Sequence, residues 1–333
     1  MGSTVAVLGS GSWGTALAIH LARLGNRVQL WGRSADVVAR AAGERRHTAH
    51  PGVELPPGLV ASTDLAEACS GAQSVVFACP SHAMRSVAVA AKPLLRTAGL
   101  VVSTAKGIEE DGHRRMSTVL AETVGDQIDT IVVLSGPSFA REVALGMPTA
   151  LTAAAAEPTA ANAVQALFSG PTLRVYTSND VVGVEVGGSV KNVIAVAAGV
   201  SDGLGFGHNT RAALITRGLA EIGRLAVHLG ADRQTIYGLS GLGDLVLTCT
   251  GDLSRNRTVG LRLGRGESLG AILASMTEVA EGVRNTHAVC ELAASVGVEM
   301  PITEQMYSVL YEDKEPRQAV VELMTRRPKQ EAD

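Results

Sequence analysis

A glycine-rich turn near the amino terminus constrains the fold of this chain most strongly. Residues 5–9 form a short apolar run typical of a buried strand, and residues 9–14 read Gly-Ser-Gly-Ser-Trp-Gly. An apolar helical segment, residues 16–24, follows and ends at Gly25. A strand, a glycine turn and a helix in this order are typical of sheets that bind dinucleotides.

Each glycine of the turn has a separate physical task in such a site. Gly9 permits the tight turn, Gly11 lets the backbone approach a pyrophosphate, and Gly14 lets the helix pack closely on the strand. The N-terminus of the helix then faces the anion. A glycine turn without a ligand is the alternative, but the position between a strand and a helix favours a nucleotide.

Further apolar runs predict six more strands with helical segments between several of them: residues 27–31, 74–78, 100–103, 131–134, 150–153 and 173–176. This alternation indicates an α/β fold with a doubly wound, mostly parallel Rossmann-type sheet. From about residue 180 the pattern changes to Ala/Leu/Val-rich stretches of helical period: residues 190–200, 212–229, 269–276 and 286–296. Since 333 residues exceed what one core usually organises, we predict a dinucleotide-binding domain, 1–180, and an all-helical substrate and catalytic domain, 181–333.

Charge and composition limit the classes of molecule that this chain is expected to bind. The formal net charge of −3 gives no electrostatic reason to expect nucleic acid, and no apolar run approaches the length of a membrane span. The dispersed cysteines and histidines form no metal motif; His47 and His50, three apart, are interpreted as surface or loop residues. We therefore expect a cytoplasmic protein without a metal site, whose partners are small molecules or other subunits.

The end of the second predicted strand bears on cofactor choice. Enzymes selective for NAD place an acidic residue there, whereas this chain has Arg33. A guanidinium can pair with a 2′-phosphate and stack on adenine, so we expect NADP to be accepted alongside NAD. A solvated residue at the end of the strand is the alternative.

Two lysines stand out in a chain that otherwise uses arginine, because only five of its 29 basic residues are lysine. Lys106 follows a predicted strand, at the carboxyl edge where doubly wound sheets bind ligands, and is a candidate to hold a phosphate or polarise a carbonyl. Lys191 lies in a predicted helix whose residues one turn away are mostly small, which leaves room for a ligand. A lysine that reaches water from an apolar helix is the alternative for Lys191.

A third polar cluster follows in the helical half. Asp244 is a candidate to orient a lysine by charge pairing. Residues 254–257 read Ser-Arg-Asn-Arg, in which Arg255 offers a forked donor for a phosphate. Alone, such a run is more often a solvated loop, so its weight comes from the other clusters.

Together these motifs closely resemble those of bacterial NAD(P)-dependent glycerol-3-phosphate dehydrogenases. The similarity covers essentially the whole chain and lies in residues 9–18, 134–140, 185–193, 203–205, 243–245, 254–257 and 279–282. Several spaced motifs in the order of the family are far more specific than one glycine turn.

The resemblance implies the roles of further residues. It implies cofactor contacts from Ser12, Trp13, Arg33, Lys106, Ala140, Arg255, Val279 and Glu281. It implies substrate contacts from Lys106, Gly136, Ser138, Lys191, Asp244, Ser254, Arg255 and Asn256, with Lys191 as the catalytic acid and base. The implied reaction is reversible hydride transfer between NAD(P)H and dihydroxyacetone phosphate, giving sn-glycerol 3-phosphate for glycerophospholipid synthesis; we also expect a homodimer.

Two rival interpretations stay open at this point. A β-hydroxyacid or hydroxyacyl dehydrogenase also joins such a sheet to a helical domain, but it needs no phosphate grip from Lys106, Arg255 and Asn256. A module that senses NAD(P)H without chemistry is a rival of another class, since fold alone does not guarantee catalysis. That second interpretation leaves Lys191 and Asp244 without a joint purpose.

Overall fold

The computed structural model describes residues 2–128, 130–276, 280–328, 330 and 331. One eight-stranded sheet occupies the first half, with strands β1 Thr4–Leu8, β2 Arg27–Trp31, β3 Leu59–Ser62, β4 Ser74–Phe77, β5 Leu100–Ser103, β6 Ile131–Ser135, β7 Thr149–Ala154 and β8 Leu173–Ser178. Their order is β3-β2-β1-β4-β5-β6-β7-β8, and the pairing of β6 with β7 is antiparallel while the others are parallel. The prediction of a doubly wound, mostly parallel sheet is confirmed.

Helices cover both faces of this sheet: α1 Ser12–Arg23, α2 Ala35–Gly43, α3 Leu65–Cys69, α4 Met84–Ala91, α5 Met116–Val124, α6 Ala140–Leu145 and α7 Pro158–Phe168, with short 3₁₀ turns at Ser81–Ala83 and Lys92–Leu94. Successive side chains of a strand point to opposite faces, so β1 serves two cores. Val5 and Val7 pack with α1, α6 and α7, whereas Ala6 and Leu8 pack with α3, α4 and α5.

The described residues after 180 contain helices and no strand. They form α8 Val181–Gly203, α9 His208–His228, α10 Arg233–Ile236, α11 Asp244–Thr250, α12 Arg255–Gly264, α13 Leu269–Ser275, α14 Glu281–Ser295, α15 Pro301–Tyr311 and α16 Pro316–Met324, with a π-helical turn at Leu239–Gly243. The prediction of an all-helical second half is confirmed, and the division into domains between residues 180 and 181 stays a prediction.

Helix α8 is the central element of the second half. Glycines allow it to lie very close to α12: a Cβ built on Gly199 would lie 2.0 Å from Arg257 O, and one built on Gly260 would lie 2.0 Å from Val196 O. At its amino end, Glu185 accepts hydrogen bonds from Ser117 N and Ser117 Oγ at the start of α5. These contacts hold α8 between the helical core and the sheet.

One expectation about apolar segments was wrong, and one strand was missed. Helix α8 is long and apolar enough to cross a membrane, with a mean hydropathy of 1.5 over 18 residues, so the expectation that no run approaches that length fails. Because 89% of that window is buried inside the protein, α8 is a core helix. Strand β3, Leu59–Ser62, was not predicted, because it lies at the sheet edge, where Val60 is exposed, and so forms no continuous buried run.

Candidate active site

The glycine turn between β1 and α1 is too tight for larger residues at two of its three glycines. Gly9 has a φ of +133°, and a Cβ there would lie 2.6 Å from Ala78 O. A Cβ on Gly14 would lie 1.9 Å from Gly9 O, because α1 presses directly on the turn. Gly11 differs, since a Cβ there would meet nothing within 4 Å, and so its backbone is open to a ligand.

The surroundings of the turn fit a dinucleotide. The order of the strands reverses between β1 and β4, which is where doubly wound sheets bind ligands. Ser12 and Trp13 are the first residues of α1, whose leading N–H groups have no partner within the helix and can bind an anion. The indole N–H of Trp13 is buried and has no hydrogen-bond partner among the described residues.

Arg33 lies just beyond β2, beside the same turn, and its side chain is exposed. The preceding residue, Gly32, is buried, and a Cβ there would lie 1.9 Å from Ser10 Oγ. Only glycine therefore lets the end of β2 approach the turn so closely. The guanidinium is available to a ligand that occupies the turn.

Two lysines share one buried carboxylate at the centre of the candidate site. Lys191 Nζ donates to Asp244 Oδ1 at 2.7 Å, and Lys106 Nζ donates to Asp244 Oδ2 at 2.7 Å. Lys191 also donates to Thr248 Oγ1 at 2.7 Å, and that hydroxyl donates to Asp244 O at 2.6 Å. The lysine of α8, the loop after β5 and helix α11 thus meet at Asp244.

Burial changes the proton affinity of Lys191. The side chain is 6% exposed, so it does not reach water along its helix. Burial lowers the pKa of Lys191 to about 8; the charge of Asp244 raises it and the charge of Lys106 lowers it further. An amine with this pKa exists in both protonation states near neutral pH.

Lys106 is held by the loop after β6. Its Nζ donates to Gly136 O at 2.8 Å, and Ser138 Oγ donates to the same carbonyl at 2.9 Å. Gly188, three residues before Lys191, faces the same region: a Cβ on Gly188 would lie 2.6 Å from Ser135 Oγ and 3.7 Å from Lys106 Cγ. The expectation that the small residues around Lys191 leave room for a ligand is therefore wrong on this side, because protein atoms fill the space.

A chain of amides connects α8, α12 and α14 beside the lysines. Asn256 Nδ2 donates to Asn192 Oδ1 at 2.8 Å, and Asn256 Oδ1 accepts from Gly282 N at 2.8 Å. Ser254 is the N-cap of α12, and its Oγ accepts from Arg257 N. Asn256 is thereby held next to the residue that follows Lys191.

Arg255 and Glu281 lie close enough to the lysines for their charges to interact. Arg255 is the first residue of α12 and is exposed. Burial raises the pKa of Glu281, while a hydrogen bond from Ser81 N and then the charges of Arg255, Lys106 and Lys191 lower it, so these charges act on one carboxylate. Ala140 begins α6, and Val279 lies outside the described residues.

Several residues that belong to the site or border it were not predicted, or were predicted in a different environment. Thr248 follows Asp244 by one helical turn, a spacing that was a usable signal. Asn285, whose Nδ2 donates to Lys106 O at 3.1 Å, carries no local signal, because 179 residues separate the two. His47 and His50 were expected at the surface or in a loop; they do lie in a loop, but they are 5% and 1% exposed and lie against the glycine turn.

Comparisons with known proteins agree with the motifs over the whole chain. Two family models match: the N-terminus of NAD-dependent glycerol-3-phosphate dehydrogenase over residues 4–161 and its C-terminus over residues 180–321. A glycerol-3-phosphate dehydrogenase (NAD(P)+) from Geobacter metallireducens is 55% identical over 333 residues, covering 99% of each chain.

Solved structures show the same relationship. The crystal structure of glycerol-3-phosphate dehydrogenase from Coxiella burnetii has a TM-score of 0.94 at 42% identity, covering 98% of this chain and 99% of that one. The yeast glycerol-3-phosphate dehydrogenase has a TM-score of 0.81 at 26% identity, covering 96% and 98%. The resemblance in the sequence is confirmed, and the chain belongs to the NAD(P)-dependent glycerol-3-phosphate dehydrogenase family.

Proposed function

We propose that this enzyme transfers hydride reversibly between NAD(P)H and dihydroxyacetone phosphate, forming sn-glycerol 3-phosphate, with Lys191 as the proton donor and acceptor. The observation that carries the proposal is the buried Lys191, which shares Asp244 with Lys106 and has a pKa lowered to about 8. A nicotinamide cofactor supplies the hydride in reduction and takes it up in oxidation.

Lys191 manages the proton that accompanies the hydride. In reduction its ammonium donates a proton to the oxygen on C2 as the carbonyl double bond becomes a C–O single bond, so hydride and proton together give the alcohol. In oxidation the neutral amine accepts that proton. Asp244 and Thr248 hold the amine through two 2.7 Å hydrogen bonds, and these contacts orient the amine for proton transfer.

The phosphate of the substrate is assigned to the start of α12. Arg255 provides a forked cation, and the neighbouring Asn256 and Ser254 provide polar groups. Gly136 and Ser138, in the loop after β6, face Lys106 and are assigned to the same substrate. Lys106 contacts Gly136 O and Asp244, and its amine is suited to polarise the carbonyl or hold the phosphate.

The cofactor is assigned to the glycine turn and its edge. Gly9, Gly11 and Gly14 shape the turn, and the start of α1 faces the pyrophosphate. Ser12, Trp13, Lys106, Ala140, Arg255, Val279 and Glu281 are the other proposed contacts.

Arg33 is proposed to pair with the 2′-phosphate of NADP. Arg33→Ala is therefore expected to weaken NADPH binding about tenfold while NADH binding stays within about twofold, because a charged hydrogen bond is lost with NADPH alone. Titration of both cofactors by fluorescence checks this. Equal NADPH affinity in wild type and Arg33→Ala would remove the assignment.

One experiment tests the proposed reaction. The loss of NADPH absorbance, and then of NADH absorbance, is followed with dihydroxyacetone phosphate and with unphosphorylated dihydroxyacetone. We expect turnover with the phosphorylated ketone and a far lower kcat/KM without the phosphate. Binding of NADPH without oxidation by any phosphorylated triose would show a binding module instead. Supply of glycerophospholipid synthesis, cytoplasmic location and a homodimer stay predictions.

A further inference from the structure

Two buried histidines contact the backbone of the glycine turn from outside it. His47 and His50 lie in the connection between α2 and β3. The Nε2 atom of His47 lies 2.9 Å from Ser10 O, and that of His50 lies 2.7 Å from Ser12 O. Neither histidine has a role in the reaction as assigned above.

The hydrogen-bond pattern determines which ring nitrogen carries the proton. Ala49 N donates to His47 Nδ1 at 3.1 Å, so Nδ1 is an acceptor and Nε2 carries the hydrogen. A carbonyl oxygen can only accept, and so His50 also donates through Nε2 to Ser12 O. Both imidazoles are therefore donors to the main chain of the turn.

The segment that carries the histidines is itself fixed. His50 N donates to His47 O at 3.0 Å, and Val53 N donates to His50 O at 3.1 Å. Val53 and Leu55 are buried in the same core as α1, with 5% and 2% exposure. A packed segment holds the two rings in place.

Peptide geometry links these contacts to the cofactor site. A trans peptide directs its C=O and its N–H to opposite sides. When His47 holds Ser10 O, the N–H of Gly11 is directed away from His47; when His50 holds Ser12 O, the N–H of Trp13 is directed away from His50. These N–H groups lie at the start of α1, where an anion binds.

We propose that His47 and His50 are positioning residues for the pyrophosphate of the dinucleotide, acting through the carbonyls of Ser10 and Ser12. They orient the donors of the turn before the cofactor arrives, so that less ordering is needed on binding. The inference rests on the proposed function, because it needs a dinucleotide at the turn.

The test compares substitutions that differ in whether a donor reaches the carbonyl. His47→Leu and His50→Leu remove the donor, whereas His47→Gln and His50→Gln place an amide N–H near the position of Nε2. His20→Leu is the matched control. His20, in α1, is buried like the other two histidines, and its Nε2 also lies near a backbone carbonyl, 2.7 Å from Phe168 O, away from the turn. NADPH affinity is measured by fluorescence, with kcat and KM for dihydroxyacetone phosphate at saturating NADPH and the denaturation midpoint.

Each Leu variant is expected to weaken NADPH binding about tenfold, with kcat and KM for the ketone within about twofold of wild type. The Gln variants regain most of the affinity, and His20→Leu lowers the denaturation midpoint without changing NADPH affinity. If a Leu variant does not fold, His50→Gln is compared with His50→Asn, whose shorter amide falls short of Ser12 O.

Unchanged NADPH affinity in the Leu variants would overturn the inference, and so would Gln variants that bind no better than Leu or Asn variants. Loss of affinity in His20→Leu as well would assign the effect to stability alone and overturn it too. If wild type itself does not bind NADPH, the proposed function fails along with this inference, a result distinct from the others.

Discussion

Asp244 is the centre of the candidate site because its carboxylate binds two lysine side chains. Each of its oxygens accepts one lysine at 2.7 Å, and the carboxylate is 1% exposed. Burial lowers the pKa of Lys191, the charge of Asp244 raises it, and the charge of Lys106 lowers it further. The carboxylate therefore orients the amine and also limits how far its pKa drops.

Asp244→Asn is expected to move the pH profile of glycerol 3-phosphate oxidation to lower pH. In the proposed mechanism oxidation needs the neutral amine of Lys191, so in wild type the rate is expected to rise with pH through about 8, the pKa of Lys191. Because the charge of Asp244 raises that pKa, removing the charge lowers the midpoint of the pH profile by about one pH unit. We also expect kcat to fall, because the amine is less well oriented. The measurement is kcat against pH.

Asp252→Asn is the control, since it removes the same charge from a carboxylate that is 96% exposed. Its midpoint is expected to stay at the wild-type value. A midpoint in Asp244→Asn that stays or moves to higher pH would contradict the assigned role.

Among the secondary-structure elements, the glycine turn between β1 and α1 contains glycines that are needed for two different reasons. Gly14 is needed because α1 contacts the turn, with 1.9 Å from its ideal Cβ to Gly9 O. Packing within the protein does not require Gly11, since nothing lies within 4 Å of its ideal Cβ. Packing therefore requires one glycine, and only a ligand would require the other.

This difference predicts that one alanine substitution mainly lowers stability and the other mainly weakens NADPH binding. Gly14→Ala is expected to lower the free energy of unfolding by about 2 kcal/mol or more through overpacking. Gly11→Ala is expected to lower it by less, about 1 kcal/mol or under, because Gly11 is the N-cap of α1 and alanine is disfavoured there, while weakening NADPH binding. Urea denaturation and NADPH titration of both variants check this. Unchanged NADPH affinity in Gly11→Ala would contradict a pyrophosphate at the turn.

A second joint connects α9 to the start of α15. Glu221 accepts from Ile302 N at 2.6 Å and from Thr303 N at 3.2 Å, and so satisfies N–H groups at the helix end. Burial raises the pKa of Glu221 to about 7, although these hydrogen bonds lower it. The folded protein thus binds this proton more tightly than the unfolded chain, where the pKa is about 4.5.

The pKa of Glu221 predicts a pH-dependent stability. Its contribution is greatest below about pH 4.5 and is lost as pH rises through about 7, because the unfolded chain releases the proton first. Between pH 5.5 and pH 8, the free energy of unfolding of wild type minus that of Glu221→Gln is expected to fall by roughly 2 kcal/mol. A constant difference for Glu221→Gln would contradict this prediction.

At the scale of the whole molecule, the sequence predicted most elements but not the contacts between distant segments. Seven strands follow from apolar runs and the helical second half follows from helical periodicity, whereas β3 is a partly exposed edge strand without a buried apolar run. Glycine spacing, lysine rarity and family motifs identified Lys106, Lys191 and Asp244. Burial of His50 and the contact of Asn285 with Lys106 O depend on how far-apart segments pack, which a local pattern does not encode.

The site needs both halves of the molecule. Lys106 comes from the sheet, and Lys191 and Asp244 come from the helices; α8 joins them because Glu185 is bound to the start of α5. The arrangement places a titrating amine beside the carboxyl edge of the sheet, where the cofactor is proposed to bind. Proton and hydride can then reach one substrate from different halves.

The most direct test of this account is the turnover of Lys191→Met with NADPH and dihydroxyacetone phosphate, beside its NADPH affinity. Met keeps an unbranched side chain and removes the proton donor. We predict a loss of kcat of roughly two to four orders of magnitude, with NADPH affinity within about twofold of wild type. Turnover at the wild-type rate would contradict the account.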